Sequence, residues 1–336
     1  MKAMLLRRLV SLSEVDAPLE WVHMPRPEPQ PGEVLIRVAA CGVCHTELDE
    51  IEGRTPPPRL PIIPGHQVVG VVAEVGSGVT NYRGGERVGV GWIHHSCGGP
   101  DENVSPDFRA TGRDANGGYA QWMTVPSGYA YPIPDVYSDE QAAPLLCAGA
   151  VGYRALMLTE LVDGETLGLT GFGGSAHLVL QLARYLFPNS RIFVFAHNET
   201  GREFARQCGA DWVGETAERA PKPLRAVIDT TPAWKPVVEA LANLRAGGRL
   251  VINAIRKEDH DKDYLQRLSY QDHLWMEREI KTVANVTSAD IAAFLPLAAR
   301  AGIRPEVEVY PLIEANQALI DLKRRPVRGA KVLVVC

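Results

Sequence analysis

The sequence predicts an α/β protein in which a doubly wound parallel sheet is joined to a second, mostly β portion. Three observations carry this expectation. Predicted strands and helices alternate after residue 147. A Gly-rich loop, Gly171-Phe172-Gly173-Gly174-Ser175-Ala176, stands between a strand pattern and a helix pattern. Before residue 138 the chain is a series of short β-branched runs broken by Pro and Gly, with almost no helical periodicity. A chain of 336 residues has room for two cores of ordinary size.

In chain order, Val34-Leu35-Ile36-Arg37-Val38 follows the turn Pro31-Gly32 and reads as the first clear strand. The β-branched run over residues 67–75 ends at Gly76-Ser77-Gly78, and Arg87-Val88-Gly89-Val90 and Trp122-Met123-Thr124-Val125 read as two more strands. After Cys147 the texture changes. Residues 166–170 read as a strand, and residues 175–186 carry Ala176, Val179, Leu180, Ala183 and Leu186 at helical spacing. Arg191-Ile192-Phe193-Val194-Phe195 is the next strand, and residues 201–208 a helix. Residues 226–228 and 249–252 give two further apolar strands, so the pattern is that of βαβ units on a parallel sheet. A helix over residues 289–301 and a strand over 331–335 complete the reading.

Composition narrows the class of partner. A net charge of -5 with both signs interspersed disfavours nucleic acid and membrane surfaces. No apolar stretch approaches a membrane span, and charge breaks the first residues too early for a secretory leader. The six cysteines (41, 44, 97, 147, 208 and 336) are too sparse and irregular for a disulfide framework. A reducing cytosol is therefore expected.

In the Gly-rich loop each small residue has a mechanical role. Gly171 makes the tight turn out of the strand, Gly173 and Gly174 let backbone approach a pyrophosphate, and Ala176 permits close helix–strand packing. The helix beginning at Ser175 then turns its positive end toward the phosphates. The following strand should end on an acid if the adenosine ribose carries free hydroxyls. Here Ala196, His197 and Asn198 stand at that place. With no carboxylate to repel a 2′-phosphate, and with His197 or Arg202 to meet it, NADP(H) is favoured over NAD(H). A plain structural turn is the alternative for this loop.

Three separated segments supply metal-ligand chemistry: Gly42-Val43-Cys44-His45-Thr46, Gly65-His66-Gln67 and Leu146-Cys147-Ala148-Gly149. Two thiolates and an imidazole neutralise Zn²⁺ and leave one position open to polarise a substrate oxygen. With Pro64, the Gly-rich loop, Gly117-Gly118-Tyr119-Ala120 and the closing stretch from Tyr310 to Leu333, these segments resemble the zinc-containing medium-chain alcohol dehydrogenases over essentially the whole chain. That resemblance implies a GroES-like catalytic domain over residues 1–149 and 287–336 and a Rossmann domain over 150–286, with zinc and cofactor meeting in a cleft between them. It also implies Cys44, His66 and Cys147 as zinc ligands, Thr46 as proton relay, His45 facing the cofactor and Trp92 lining the substrate site. Glu47 is expected as the acceptor that fixes the His66 ring. Cys41 is expected to be a buried neighbour, and a homodimer or homotetramer is implied through the Rossmann domain. Core thiols and a satisfied core histidine remain the plain alternative for the ligand set.

The chain departs from the family in three places. Gln67 replaces the usual glutamate after the zinc histidine, which leaves the site less negative and zinc a stronger Lewis acid. Asp49 stands where relatives usually place the histidine that ends the proton relay. Its reference pKa of about 3.9 suits that task poorly, and water can replace it. The segment around Cys97 holds a single thiol where relatives often have four cysteines, so one catalytic zinc per subunit is expected. His94 and His95 read as a polar loop.

The expected activity is reversible hydride transfer between a small alcohol and the aldehyde or ketone it forms, with NAD(P) as the other partner. A zinc-free reductase acting on quinones or activated C=C bonds is the alternative within the superfamily. A non-catalytic nucleotide-binding protein is the alternative outside it.

Overall fold

The computed structural model describes residues 1–325 and 329–335, so Cys336 lies outside the described residues. Strand Glu33–Val43 is the axis of a seven-stranded sheet in the first of two units. It pairs antiparallel with Val68–Val75 along most of its length, with Trp122–Pro126 near its start and with Ala330–Val334 near its end. Arg87–Val90, Ala130–Pro132 and Val307–Pro311 complete the sheet. Val34, Ile36, Val38, Val68, Val72, Val88 and Val90 bury their side chains in one core with Leu48, Ile51, Tyr119 and Leu333. This β-branched wall is what the first half of the sequence encodes.

The first unit comprises Met1–Ala150, Val286–Arg300 and Arg304–Cys336. It also contains strands Lys2–Leu6 and Leu19–His23, which the sequence reading did not anticipate. A further difference is helix His45–Ile51, in a stretch where no helix was expected. Six of its seven residues are buried, four of them polar or charged, so it carries no apolar stripe for a periodicity argument to detect.

The second unit comprises Val151–Asn285 and Ala301–Ile303. Its six strands are all parallel, in the order Trp212–Gly214, Arg191–Phe195, Thr166–Thr170, Leu224–Asp229, Leu244–Ile252 and Glu279–Thr282. Chain order reverses between Thr166–Thr170 and Leu224–Asp229, which is the mark of a doubly wound sheet. The inner strands are nearly continuous apolar runs because helices cover both faces. Helix Ala176–Leu186 starts at the end of the Gly-rich loop. Helix Glu199–Gln207 starts two residues before the expected point because Asn198 caps it, its Oδ1 accepting the Gly201 N–H at 2.7 Å. Helix Lys235–Asn243 is capped from a distance by Asp261, which accepts from the Trp234 and Lys235 N–H groups.

Among the described residues, no helix is long and apolar enough to cross a membrane.

Candidate functional site

Three turns in the first unit bring together three atoms able to bind a metal ion. Cys44 is the N-cap of helix His45–Ile51, directly after the axial strand. His66 enters beside Gly65, whose φ of +99° and lack of a side chain are both required. A Cβ there would sit 2.4 Å from the Tyr119 ring and 2.9 Å from Cys41 Sγ. Cys147 closes the short helix Ala143–Leu146. The Sγ atoms of Cys44 and Cys147 and a ring nitrogen of His66 all lie within 4.8 Å of one another, with His66 Nε2 and Cys147 Sγ 3.2 Å apart. Tetrahedral zinc with its usual bond lengths separates such ligands by roughly 3.5–3.8 Å, so the set fits the ion with small adjustments. Among the described residues no other His, Cys, Asp or Glu group comes together in this way.

The surroundings prepare these ligands. Glu47 is fully buried and uses both carboxylate oxygens: Oε2 accepts the Cys44 N–H at 2.7 Å, and Oε1 lies 2.5 Å from His66 Nδ1. The second approach is short but off the ideal hydrogen-bond angle, so charge attraction dominates it. It leaves Nε2 as the ring nitrogen turned toward the thiols. The hydrogen bond with Cys147 holds the Cys44 thiol well below the ordinary range against the effect of burial. The same contact, then burial, pushes Cys147 well above it. Burial alone would lower His66, but the Glu47 charge and the Cys44 contact hold it above the usual histidine range. A divalent cation entering this set must displace protons, and its affinity therefore rises with pH.

The neighbours are placed as follows. Thr46 is buried with Oγ1 3.5 Å from Cys44 Sγ, whereas His45 is exposed. Gln67 is buried against Gly42, where a Cβ would meet its Oε1 at 2.7 Å. Asp49 is also buried, and its Oδ1 accepts from Arg54 Nε at 2.6 Å. Trp92 lies beside this group, its ring centroid 6.1 Å from that of His66 in a tilted contact and 5.5 Å from that of Phe108 in an edge-on one. Cys41 is a core thiol that burial pushes well above the ordinary range. Glu50, which the sequence reading passed over, is a third buried carboxyl on the same helix, after Glu47 and Asp49. Burial, then the Glu47 charge, pushes it well above the usual range. No local motif marks it.

Around Cys97 hydrogen bonds hold the segment in place. Buried Glu102 accepts from the Ser288 N–H at 2.5 Å and from Tyr129 OH at 3.0 Å, while Ser96 Oγ donates to the Glu102 carbonyl. Cys97 itself is exposed.

In the second unit, Gly171 leaves strand Thr166–Thr170 with φ +76°. A Cβ there would lie 2.8 Å from Thr231 Cγ2 and 3.0 Å from Thr230 Oγ1, so only glycine fits. Gly173, Gly174 and Ser175 are partly exposed, and Ala176 is fully buried against the sheet. His177, also missed in the sequence, is buried with Nδ1 2.9 Å from the Gly173 carbonyl. Beyond strand Arg191–Phe195, Ala196 is buried and His197 exposed, and the Asn198 oxygen is engaged as the helix cap. Arg202 donates to the Ala196 carbonyl at 2.9 Å and to Glu199 at 2.9 Å. Its charge is therefore shared with an acid before any ligand arrives.

Replacing Glu47 by glutamine keeps the shape but removes the charge facing His66 Nδ1. Zinc affinity is expected to fall about 10- to 100-fold, as when such supporting acceptors are lost elsewhere. Competition with a chromogenic chelator measures it, and unchanged affinity removes Glu47 from the site.

Residues 30–135 match the model of the alcohol dehydrogenase GroES-like domain. The chain is 44% identical to the probable alcohol dehydrogenase AdhA of Mycobacterium tuberculosis, over 95% of this chain and 93% of that protein. It is 31% identical to an alcohol dehydrogenase of Geobacillus stearothermophilus, over 95% of this chain and 96% of that protein. Among solved structures it superposes on a cinnamyl alcohol dehydrogenase from Sorghum bicolor with a TM-score of 0.83 and 26% identity, covering 99% of this chain and 97% of that one.

Proposed function

The chain belongs to the zinc-containing medium-chain alcohol dehydrogenase family, and from that premise we propose how its own residues carry out NAD(P)-dependent alcohol dehydrogenation and carbonyl reduction. The observation that carries the reading is the convergence of Cys44, His66 and Cys147 with Glu47 behind the imidazole. These three residues would hold one zinc ion per subunit. Zinc supplies a Lewis acid that polarises the substrate oxygen, and the nicotinamide supplies or accepts the hydride.

The remaining work falls to side chains. Thr46 Oγ1 takes the hydroxyl proton of the alcohol, or returns it to the carbonyl oxygen in the reverse direction. Asp49 is held by Arg54, so the outer leg of the relay runs through water. Gln67 keeps the ligand surroundings free of a further negative charge. Trp92 forms an aromatic wall beside His66 and restricts the substrate. His45 and the turn Gly171, Gly173, Gly174 and Ser175 receive the pyrophosphate. His197 and Arg202 meet a 2′-phosphate beside Ala196 and Asn198, which makes NADPH the preferred cofactor. In this reading residues 1–149 and 287–336 are catalytic and residues 150–286 bind the cofactor. The substrate is a small alcohol, aldehyde or ketone. The exposed edge strand Glu279–Thr282 offers unpaired backbone to a second copy, and a monomer by light scattering overturns that assignment.

Initial rates with NADH and NADPH against short, long and aromatic aldehydes, alongside zinc analysis of the purified enzyme, test the reading together. The expected result is one zinc per subunit and a higher kcat/KM with NADPH. A zinc-free enzyme that reduces quinones or activated C=C bonds supports the other superfamily chemistry instead.

A further inference from the structure

At the point where strand order reverses, the second unit buries an ion pair that the reaction does not use. Asp229 ends strand Leu224–Asp229, is fully buried, and lies opposite Thr170 in the register. Its Oδ1 accepts from Thr170 Oγ1 at 2.5 Å, from Thr231 Oγ1 at 2.8 Å and from the Thr231 N–H at 3.2 Å. Its Oδ2 accepts from Lys257 Nζ. Lys257 spends its other donors on the carbonyls of Thr231, at 2.7 Å, and Ala233, at 3.1 Å. The Glu258 N–H donates to the Pro232 carbonyl at 2.7 Å, and Asp261 caps the helix that follows. Residues 257–261 thus form a strap across the loop 230–235.

That loop is the wall of the Gly171 turn. Thr231 Cγ2 and Thr230 Oγ1 occupy the space where a side chain at Gly171 would stand, and Thr230 Oγ1 also donates to the Thr170 carbonyl at 3.0 Å. A buried ion pair is a poor device for stability alone, since an apolar pair of similar volume often serves as well. It does fix several backbone groups in one arrangement. We propose that Lys257 is a positioning residue for the cofactor: through Asp229 and the carbonyls of Thr231 and Ala233 it holds the wall of the Gly171 turn in the shape that receives the dinucleotide. The inference rests on the reading that this turn binds the cofactor. Lys257 touches neither substrate nor reacting atoms in this role. It acts by preorganisation, lowering the ordering cost of binding.

The test uses the zinc-loaded enzyme, Lys257→Met, and the double variant Asp229→Asn with Lys257→Met. The single variant leaves Asp229 charged and unpaired, so its melting temperature falls. The double variant removes that charge while the amide oxygen of the substituted side chain still serves the threonine hydroxyls, and it melts close to the parent. NADPH titration followed by nicotinamide fluorescence is expected to give a Kd raised about 10- to 100-fold in both variants, the worth of one or two of the three charge-assisted hydrogen bonds that Lys257 makes. KM for NADPH rises with it, while kcat at saturating NADPH and KM for the aldehyde stay near the parent values. A double variant with restored melting temperature and parental NADPH affinity overturns the proposal, leaving the ion pair a structural element. A parent enzyme that binds no dinucleotide overturns the cofactor reading itself, and this inference with it.

Discussion

Cys44→Ala is expected to abolish stoichiometric zinc and to lower kcat/KM for the alcohol by at least about 1,000-fold. The Lewis acid supplies several kcal/mol of transition-state stabilisation, and each 1.4 kcal/mol or so is a factor of ten in rate. Removing one of three protein ligands also removes a negative charge that offsets the cation. The fold should survive the change. Cys44 is only partly buried, and the bond that anchors the helix runs from its backbone N–H to Glu47, which alanine retains. Cys97→Ala, at an exposed thiol away from the ligand group, is the control and should leave both zinc and rate intact. Metal analysis per subunit and steady-state rates decide the matter. Full activity in the zinc-depleted Cys44→Ala enzyme would falsify the mechanism.

The second large effect is expected at Gly171→Val. At φ +76° a β-branched side chain costs more than the roughly 1–2 kcal/mol of an ordinary left-handed residue, and its first carbon would lie 2.8 Å from Thr231 Cγ2. The turn must move, and the threonine wall with it. Affinity for NADPH is expected to fall at least about tenfold, with a lower melting temperature, since the strain must be accommodated in the folded state. Zinc content should be unchanged, because Cys44, His66 and Cys147 lie in the other unit. Fluorescence titration and metal analysis on the same sample separate the two sites. Parental NADPH affinity would show that the turn does not hold the cofactor.

Much of the second unit was legible because its strands are continuous apolar runs closed by glycine or polar turns. Thr166–Thr170 and Arg191–Phe195 have the bounds expected from sequence. Leu244–Ile252 starts five residues earlier than expected: Arg245-Ala246-Gly247-Gly248 reads as a turn, and only the Leu224 pairing with a register shift brings it into the sheet. Helix His45–Ile51 was illegible for the opposite reason. Thr46, Glu47, Asp49 and Glu50 are buried polar groups, Thr46 and Glu47 set against Cys44 and His66 and Asp49 against Arg54, so local propensity and function disagree there. The segments that bring Cys44, His66 and Cys147 together were readable from their flanking motifs. The Arg54 bond to Asp49 and the Lys257 bond to Asp229 were not, since nothing in local sequence says which distant charge a buried acid will meet.

The strand that delivers Cys44 has one more property. Its last residues, Ala40 to Val43, pair with Val334 to Lys331, a segment synthesised long after all three ligands have been made. A nascent chain therefore carries these thiols and this imidazole while the whole second unit is made, before the strand that pairs beside Cys44 exists. A substitution that breaks the distant strand Ala330–Val334 is therefore expected to loosen Cys44, encoded some three hundred residues before it.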